Sequence, residues 1–356
     1  MPSGAVTKRL LIGAGISLLV LMLVGFIFGA VGSAMFGTDR FLEKPEIHLS
    51  PQPVFPASTR NESLNLTEES AERYHEFLAE AEEKEAVAEK AGISFTRLTE
   101  EEKKEEAAEK AGIHFEPLSV SKFAVTNTLI SAWFATIVLI LFFVLGSRKK
   151  SVVPGRFQGI IESLYEGVLG FCSSVLGPEM ARKAFPIIAT IFFFVLFNAW
   201  LALLPIYQFV GFVFDGSIKS HLLKSAGTDL NMPLALALVS FVFVEYWGLR
   251  SHGLGYFKRF FAFGNLLRGR PSGLIDIFVG FLEGVSELVR VVSFTFRLFG
   301  NMTAGEVLVV MITFLVPFVA TQFVFGLELL VGLIQAVIFA SLTVVFLAGA
   351  VRREHH

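Results

Sequence analysis

Arg297, Asn301 and Glu306 lie in the stretch FRLFGNMTAGE (residues 296–306), inside a run that is otherwise strongly apolar. A charge near the centre of a bilayer costs at least about 2.5 to 3.5 kcal/mol, so charged residues in membrane segments usually serve transport or proton transfer. Carboxylates can hold and release protons, whereas an arginine stays charged at any physiological pH. These residue types therefore favour a role in moving ions.

Helical geometry determines which of these side chains share a face. At about 100 degrees per residue, Glu283, Arg290 and Arg297 follow one another at intervals of seven and lie on one face, with Asn301 close to it. Glu306 is nine residues beyond Arg297 and points about 180 degrees away. Arginine and glutamate therefore do not neutralise each other along this helix, and each needs another partner.

A second long apolar run carries Glu328 and Gln335, again seven residues apart. If the two runs form an antiparallel helical hairpin centred on residues 316–317, Arg297 lies level with Gln335 and Glu306 lies level with Glu328. Two carboxylates at one depth permit two interpretations. They either hold a water-filled pocket together, or they form a proton-access path in which a proton is held and passed on.

Three further candidates lie nearer the start of the same helix, namely Glu283, Ser286 and Arg290. Together with Glu287 they either line an aqueous exit or form ordinary surface ion pairs at i,i+3 and i,i+7. Serine in a membrane helix is often a packing residue, so Ser286 fits both interpretations.

The composition is that of a membrane protein. The 356 residues are 53% hydrophobic and 17% charged, with a mean hydropathy of +0.64, which is more apolar surface than a soluble core of this size can hold. The net charge of −2 gives no basis for nucleic-acid binding. The single Cys172 excludes an internal disulfide, and no cofactor, metal or catalytic motif is present in the sequence. We therefore expect no cofactor and no enzymatic catalysis by this chain.

The pattern of apolar runs predicts an all-α integral membrane protein with about six membrane helices, the last two long and tilted as a hairpin, because a crossing needs about 20 apolar residues. The predicted organisation is an N-terminal anchor helix at 1–38, a polar extracytoplasmic insert at 39–122 and a membrane domain at 123–352. The predicted spans are 10–36, 123–146, 185–214, 231–249, 272–316 and 318–350.

The lysines and arginines of the short loops fall on one side if six spans alternate, which predicts that both termini, including the C-terminus, are cytoplasmic. The first run could instead be a cleaved secretory signal. Its length, and the lack of a small-x-small cleavage site, favour an uncleaved anchor.

The insert contains an internal repeat with a period of 20 residues. EEKEAVAEKAGISF (82–95) recurs as EKKEEAAEKAGIHF (102–115), identical at 10 of 14 positions. Alanine, glutamate and lysine favour helix, and Ala-Gly is a suitable helix end. We expect a solvated, partly helical module rather than a site.

FRLFGNMTAGE resembles the signature of the subunit a family of rotary F-type ATP synthases, and the resemblance extends over about residues 120–352. It is carried further by VPGRFQGIIE (153–162), TDLNMPLALALVSF (228–241), LEGVSELVRVVSFTFRLFGN (282–301) and IQAVIFASLTVVFLAG (334–349). The family members are non-catalytic stator subunits with two half-channels that pass protons to and from a carboxylate on a rotating c-ring. The resemblance implies as partners the c-ring, the peripheral stalk subunit b, the soluble ATPase head and the bilayer of an energy-transducing membrane, most simply the bacterial inner membrane.

The resemblance also implies roles for individual residues. Arg297 occupies the place of the arginine that faces the c-ring, and Asn301 and Gln335 match polar positions near it. Glu306 and Glu328 match the half-channel open to the outside. Glu283, Ser286 and Arg290 match the path on the cytoplasmic side.

Two features depart from the family pattern. The segment FNAWLALLP (197–205) lacks the acidic residue that some members carry before Leu-Leu-Pro, so Asp215 or His221 could serve the outer entrance instead. The N-terminal run and the insert have no counterpart in the shorter members. A self-contained proton-coupled transporter is the alternative class, although it normally shows repeats among its membrane spans. A purely structural anchor is a further alternative.

Overall fold

The computed structural model describes part of the chain. The chain folds into two compact units. The first unit contains residues 1–131, 204–224 and 307–324, and the second contains 132–203, 225–306 and 325–356. The described residues are 4–36, 51–56, 59–60, 70, 72–81, 106–107, 110–111, 124–148, 155–204, 206–214, 217–253, 255–256 and 272–351.

Helices dominate the described residues, and four short strands form two antiparallel pairs. The helices with described bounds are α1 Gly4–Phe28, α2 Ala30–Phe36, α3 Asn127–Ser147, α4 Arg156–Leu176, α5 Pro178–Ala202, α6 Ile206–Phe209, α7 Asn231–His252, α8 Ser272–Leu315 and α9 Val319–Val351. Residues 72–81 of the insert are also helical. The strands are β1 Pro53–Phe55, β2 Val125–Thr126, β3 Gly211–Phe214 and β4 Ser217–His221, with β1 paired to β2 and β3 paired to β4.

Six of these helices are long and apolar enough to cross a membrane, namely α3, α4, α5, α7, α8 from Ile277 onward, and α9. The predicted fold class is therefore confirmed, but the set of six differs from the predicted one. Helix α4 was not predicted as a span because Gln158, Glu162 and Glu166 interrupt its apolar residues. Its most apolar window has a mean hydropathy of 1.2, the lowest of the six.

The predicted third span, 185–214, is wrong at both ends. Helix α5 begins at Pro178, a residue suited to the first turn because its missing N–H would have no partner there, and ends at Ala202. Pro205 follows three residues later, and its missing N–H disfavours extension of the helix. The residues beyond it form the short helix α6 and the hairpin of β3 and β4, where aromatic and β-branched residues flank Asp-Gly, a pair that favours tight turns.

The predicted first span, 10–36, is two helices rather than one. Helix α1 ends at Phe28, the chain bends at Gly29, and α2 runs from Ala30 to Phe36. The amide of Gly29 still donates to the Gly25 carbonyl at 2.9 Å, so the two helices are almost continuous. The apolar part of α1 with described side chains, Gly15–Phe28, is shorter than a full crossing.

The core of the second unit lies among α4, α5, α7, α8 and α9. One cluster of buried residues includes Ile188, Phe243 and Leu347, and a second includes Val195, Phe294 and Phe339. Small residues allow close approach, since a Cβ added at Gly332 of α9 would lie 2.8 Å from the Ala199 methyl of α5. The outward faces carry large exposed apolar side chains, as expected for helices surrounded by lipid.

In the first unit, a piece of the N-terminal insert is held by hydrogen bonds. The Gln52 amide donates to Asn127 Oδ1 at 3.1 Å, the Asn127 side chain donates to the His221 carbonyl at 3.3 Å, and the His221 amide donates to Gln52 Oε1 at 3.2 Å. Gln52 and Asn127 are almost fully buried. Residues 51–54 therefore belong to the packed structure, unlike a freely solvated linker.

Several predictions lie outside the described residues. These are most of the 20-residue repeat at 82–95 and 102–115, Asp215, and the basic residues Lys149, Lys150, Lys258, Arg259, Arg268, Arg270, Arg352 and Arg353. In the parts of the insert that are described, Lys110 and Glu106 form an exposed i,i+4 ion pair at 2.7 Å, as a helix rich in glutamate and lysine predicts. The hydrogen bond to Glu106 raises the pKa of Lys110.

Candidate functional site

Arg297 lies near the middle of α8, a continuous helix of 44 residues. The sequence between Ser272 and Leu315 contains no proline, and its many leucines and valines suit an apolar helix. The Arg297 guanidinium reaches Ser293 Oγ at 3.4 Å and lies 5.9 Å from the centre of the Phe294 ring. Within the described ranges no carboxylate forms an ion pair with this half-buried side chain.

Asn301 and Gln335 join α8 to α9. Asn301 Nδ2 donates to Gln335 Oε1 at 2.8 Å, and only 2% of Gln335 is exposed. The second polar atom of Gln335, Nε2, is buried and has no hydrogen-bond partner among the residues that the structure describes. A buried donor without an acceptor costs about 1–3 kcal/mol, which makes this atom an energetically unfavourable feature of the packed hairpin.

Glu328 of α9 is packed against Gly305 of α8. A Cβ built on Gly305 would collide with Glu328 Oε2, and it would lie 2.6 Å from the carboxyl carbon. Gly305 is buried and Glu328 is half-buried. Glu306, which follows Gly305 in α8, is exposed. The glycine therefore leaves space for the carboxylate beside the α8 backbone.

These contacts agree with the predicted antiparallel register to within one helical turn. The hairpin turns between Leu315 and Val319, as predicted. The sequence predicts that Glu306 lies level with Glu328. The α8 residue that packs against Glu328 is Gly305, so the prediction is correct to within one residue. The residue bonded to Gln335 is Asn301, one turn beyond Arg297, so Arg297 itself takes no part in that hydrogen bond.

Glu287 and Arg290 form an ion pair at 2.5 Å, with only 7% and 17% of their side chains exposed. Arg290 also lies 3.8 Å from the centre of the Phe346 ring of α9. The pair has the i,i+3 spacing of one of the two alternatives that the sequence left open, but it is not an exposed surface pair because both side chains are largely buried. Glu283 is half-buried and Ser286 is exposed on the same helix.

Three polar residues of the second unit were not predicted from the sequence as part of a site. Ser240 of α7 and Thr343 of α9 share a buried hydrogen bond of 2.8 Å, and the half-buried Glu245 lies one turn further along α7. Ser240 and Arg290 also line one small cavity. A lone glutamate inside an apolar helix was a usable signal for Glu245, whereas Ser240 and Thr343 are too common in membrane helices to stand out.

The first unit also contains a cluster of polar residues near the start of α3, formed by Ser131, Tyr207 and Lys224. Ser131 Oγ accepts from the Lys224 amide at 3.0 Å and donates to the Asn127 carbonyl at 2.9 Å. Burial raises the pKa of the Tyr207 hydroxyl, while its hydrogen bond with Ser131 acts in the opposite direction. Within the part of the chain that the structure describes, no group of three histidine, cysteine or acidic residues is arranged to hold a metal ion.

The fold and the polar residues define a class: a multi-pass helical membrane protein whose longest helices carry an arginine and carboxylates along a packed hairpin. Such intramembrane charges characterise membrane proteins that translocate ions.

Comparison with known proteins gives the family. Residues 129–348 match the family model described as ATP synthase A chain, so the chain belongs to that family. It is 34% identical to "ATP synthase subunit a" of Gloeobacter violaceus over 67% of this chain and 89% of that protein. It is 33% identical to the protein of the same description from a Sulfurihydrogenibium species over 64% of this chain and 98% of that protein. The Granulibacter bethesdensis protein is 37% identical over 58% and 80% of the two chains.

Membership of this family supports an ion-translocating subunit of an ATP synthase in an energy-transducing membrane. The family match begins at residue 129, so α1, α2 and the insert lie outside it.

Proposed function

We propose that this protein is the ion-translocating stator subunit of an F-type ATP synthase, in which two aqueous half-channels reach the middle of the bilayer from opposite sides without meeting. A carboxylate on each subunit of a partner c-ring carries each proton from one half-channel to the other as the ring rotates. The stator thereby couples proton flow to rotation and to ATP synthesis.

The observation that carries this proposal is the missing counter-charge of Arg297. A half-buried guanidinium in a membrane helix requires a negative partner, and no described carboxylate forms an ion pair with it. A c-ring carboxylate supplies that charge each time a ring subunit passes. Because arginine does not lose its proton at physiological pH, it also blocks direct proton flow between the half-channels.

The polar residues of the hairpin are suited to the two paths. Glu306 and Glu328 serve the outer half-channel, where one carboxylate receives a proton from the other or from water. Asn301 is exposed one turn from Arg297 and orients the arriving carboxylate, and the buried Gln335 fixes the Asn301 side chain through their hydrogen bond. Glu283, Ser286 and Arg290 serve the cytoplasmic path, on the part of α8 that precedes Arg297.

The subunit itself is non-catalytic, and ATP chemistry takes place in the soluble head. Each proton that crosses 100 mV supplies about 2.3 kcal/mol, so several protons are needed for each ATP and the partner must be a ring of several subunits. The peripheral stalk subunit b links this stator to the head. The basic residues between α7 and α8 and those that end the chain fall on one side if α8 and α9 cross the membrane as a hairpin, which supports a cytoplasmic C-terminus. The bacterial inner membrane is the proposed location.

The test is ATP-driven proton pumping in inverted membrane vesicles that carry Arg297→Ala, together with the passive proton leak after the soluble head is removed. We expect pumping to be lost while the complex remains assembled, with an increased leak. Arg250→Ala is the matched control, because Arg250 is an arginine at the end of α7 that contacts Tyr246 and Trp247. Pumping should survive that change.

Normal pumping in the Arg297→Ala vesicles would show that Arg297 is structural. Purification from native membranes distinguishes the other classes. Recovery of a ring of small proteolipids and a soluble ATPase head with this protein excludes a self-contained transporter and a simple anchor, whereas purification of the chain alone in active form contradicts the proposal.

A further inference from the structure

The first helix of the chain approaches the turn of the long hairpin within the first unit. A Cβ added at Gly25 would collide with the Pro317 carbonyl oxygen and lie 3.3 Å from Phe318 Cδ2. A Cβ added at Gly29 would collide with the Leu315 carbonyl oxygen and lie 2.9 Å from Pro317 Cδ. The backbones of these two segments are therefore in direct contact.

Among residues 15–36, whose side chains are described, the buried positions lie at the end of α1, at the Gly29 bend and in α2. Gly25, Gly29 and Ser33 are buried, whereas the side chains of Ile16 and Leu19 are 61% and 57% exposed. Gly15 is the useful comparison, because a Cβ added there would meet nothing within 4 Å. The buried face thus follows an i,i+4,i+8 spacing that begins at Gly25.

The chemistry of this contact matches close packing of helices in membranes. Apolar side chains gain nothing by leaving lipid for another apolar surface, so association depends on small residues that let backbones approach. Two glycines four residues apart bring Cα–H groups to the carbonyl oxygens of the turn, where such contacts are favourable. The turn lies between the end of α8 and the start of α9, and its Leu315 and Pro317 carbonyl oxygens are the atoms that meet the two glycines.

We propose that Gly25 and Gly29 form a docking site through which the N-terminal helix, retained in the mature protein, clamps the turn at residues 315–318. The occupant of this surface is the chain's own first helix. The clamp restrains the turn from which both α8 and α9 extend, and it gives the N-terminal module, which lies outside the family match, a structural role. This inference does not depend on the proposed ion path.

Disulfide cross-linking in the assembled complex in native membranes tests the clamp. The reporter is Gly25→Cys with Phe318→Cys in a Cys172→Ala background, with an engineered protease site in the 82–95 segment so that a disulfide holds two fragments together. The matched control is Gly15→Cys with Phe318→Cys. Gly15 is about 15 Å from Gly25 along the helix, which is beyond the Cα separation of about 7 Å that a disulfide tolerates.

We expect the first pair to form the disulfide and the control pair to remain reduced. Adding Gly29→Leu should abolish the disulfide, because the leucine side chain cannot fit against Leu315, whereas adding Gly15→Leu should leave it intact. A disulfide that forms equally in the control pair, or a mature chain whose mass shows cleavage after residue 36, would overturn the proposal. Absence of the disulfide in the first pair leaves the decision to maleimide labelling of Phe318→Cys, in which the glycines of the first helix are not replaced by cysteine.

A second measurement covers the case in which Gly25→Cys itself prevents docking. The rate at which a maleimide labels Phe318→Cys alone is compared in three backgrounds: the wild-type helix, Gly29→Leu and Gly15→Leu. A faster rate only with Gly29→Leu supports the clamp. Equal rates in all three backgrounds contradict it.

Discussion

The side-chain amide of Asn301 donates a hydrogen bond of 2.8 Å to the amide oxygen of Gln335, which joins the two longest helices one turn from Arg297. Replacing Gln335 with leucine keeps the volume but removes both the acceptor and the unsatisfied Nε2 donor. A lost hydrogen bond of this kind costs about 1 kcal/mol, so we expect roughly a fivefold fall in proton pumping per assembled complex.

The measurement is ATP-driven acidification of inverted vesicles, normalised to the amount of complex. Ser341→Ala is the control, because the Ser341 hydroxyl donates to the Ile338 carbonyl of its own helix. Equal pumping by Gln335→Leu and Ser341→Ala would remove Gln335 from the site.

Gly305→Ala should disturb the outer path through Glu328. The added methyl would occupy the position of the Glu328 carboxylate, so either the carboxylate or the helix must move. We expect a clear fall in pumping with normal assembly. A shorter acidic side chain relieves the collision, so Gly305→Ala combined with Glu328→Asp should recover part of the lost activity.

Gly326→Ala is the matched control for that substitution, because a Cβ there meets nothing within 4 Å. If an alanine lowered pumping only through a general change in helix properties, Gly305→Ala and Gly326→Ala would lower pumping equally. If Gly305→Ala pumps normally, or if Glu328→Asp gives no recovery, the packing of Glu328 against Gly305 has no part in proton transfer.

The buried pair of Glu287 and Arg290 should dominate the stability of its part of α8. Glu287→Ala leaves a buried guanidinium without its carboxylate, and removal of one partner of such a pair costs about 3–5 kcal/mol. We therefore expect the temperature of thermal unfolding in detergent to fall markedly. The double change Glu287→Leu with Arg290→Met should restore most of the stability, because it removes both charges.

The exposed pair of Glu179 and Lys183, at 2.7 Å, provides the comparison. Lys183→Ala should leave the unfolding temperature nearly unchanged, because water screens an exposed pair. An equal loss from Glu287→Ala and Lys183→Ala would mean that burial of the Glu287 pair contributes little.

Asn127 should hold the insert residues 51–56 in place. Its side chain accepts from the Gln52 amide and donates to the His221 carbonyl, and each buried group left unpaired costs about 1–3 kcal/mol. We expect Asn127→Ala to speed hydrogen exchange at the Gln52 amide. Thr136→Ala is the control, because that hydroxyl donates to the Ala132 carbonyl within α3, and it should leave exchange at Gln52 as it was.

Sequence alone predicted the elements whose signal is local. The long apolar runs predicted the hairpin of α8 and α9 and its turn, because about 20 apolar residues in a row have few alternatives to a membrane helix. The spacing of seven between Glu328 and Gln335 predicted their common face. Helix α4 was not predicted as a span because an amphipathic helix mixes polar with apolar residues. The end of α5 was predicted wrongly because the apolar run continues into a β-hairpin.

What only the tertiary structure decided is which side chains meet. The same α8 sequence is compatible with an exposed or a buried Glu287, and packing against α9 places Arg290 on Phe346 and buries the pair. No local pattern distinguishes Gly305, against which the Glu328 carboxylate packs, from Gly326, which faces open space. A charge pattern along one helix determines faces and levels, but the depth of burial and the partner of each charge depend on the neighbouring helix.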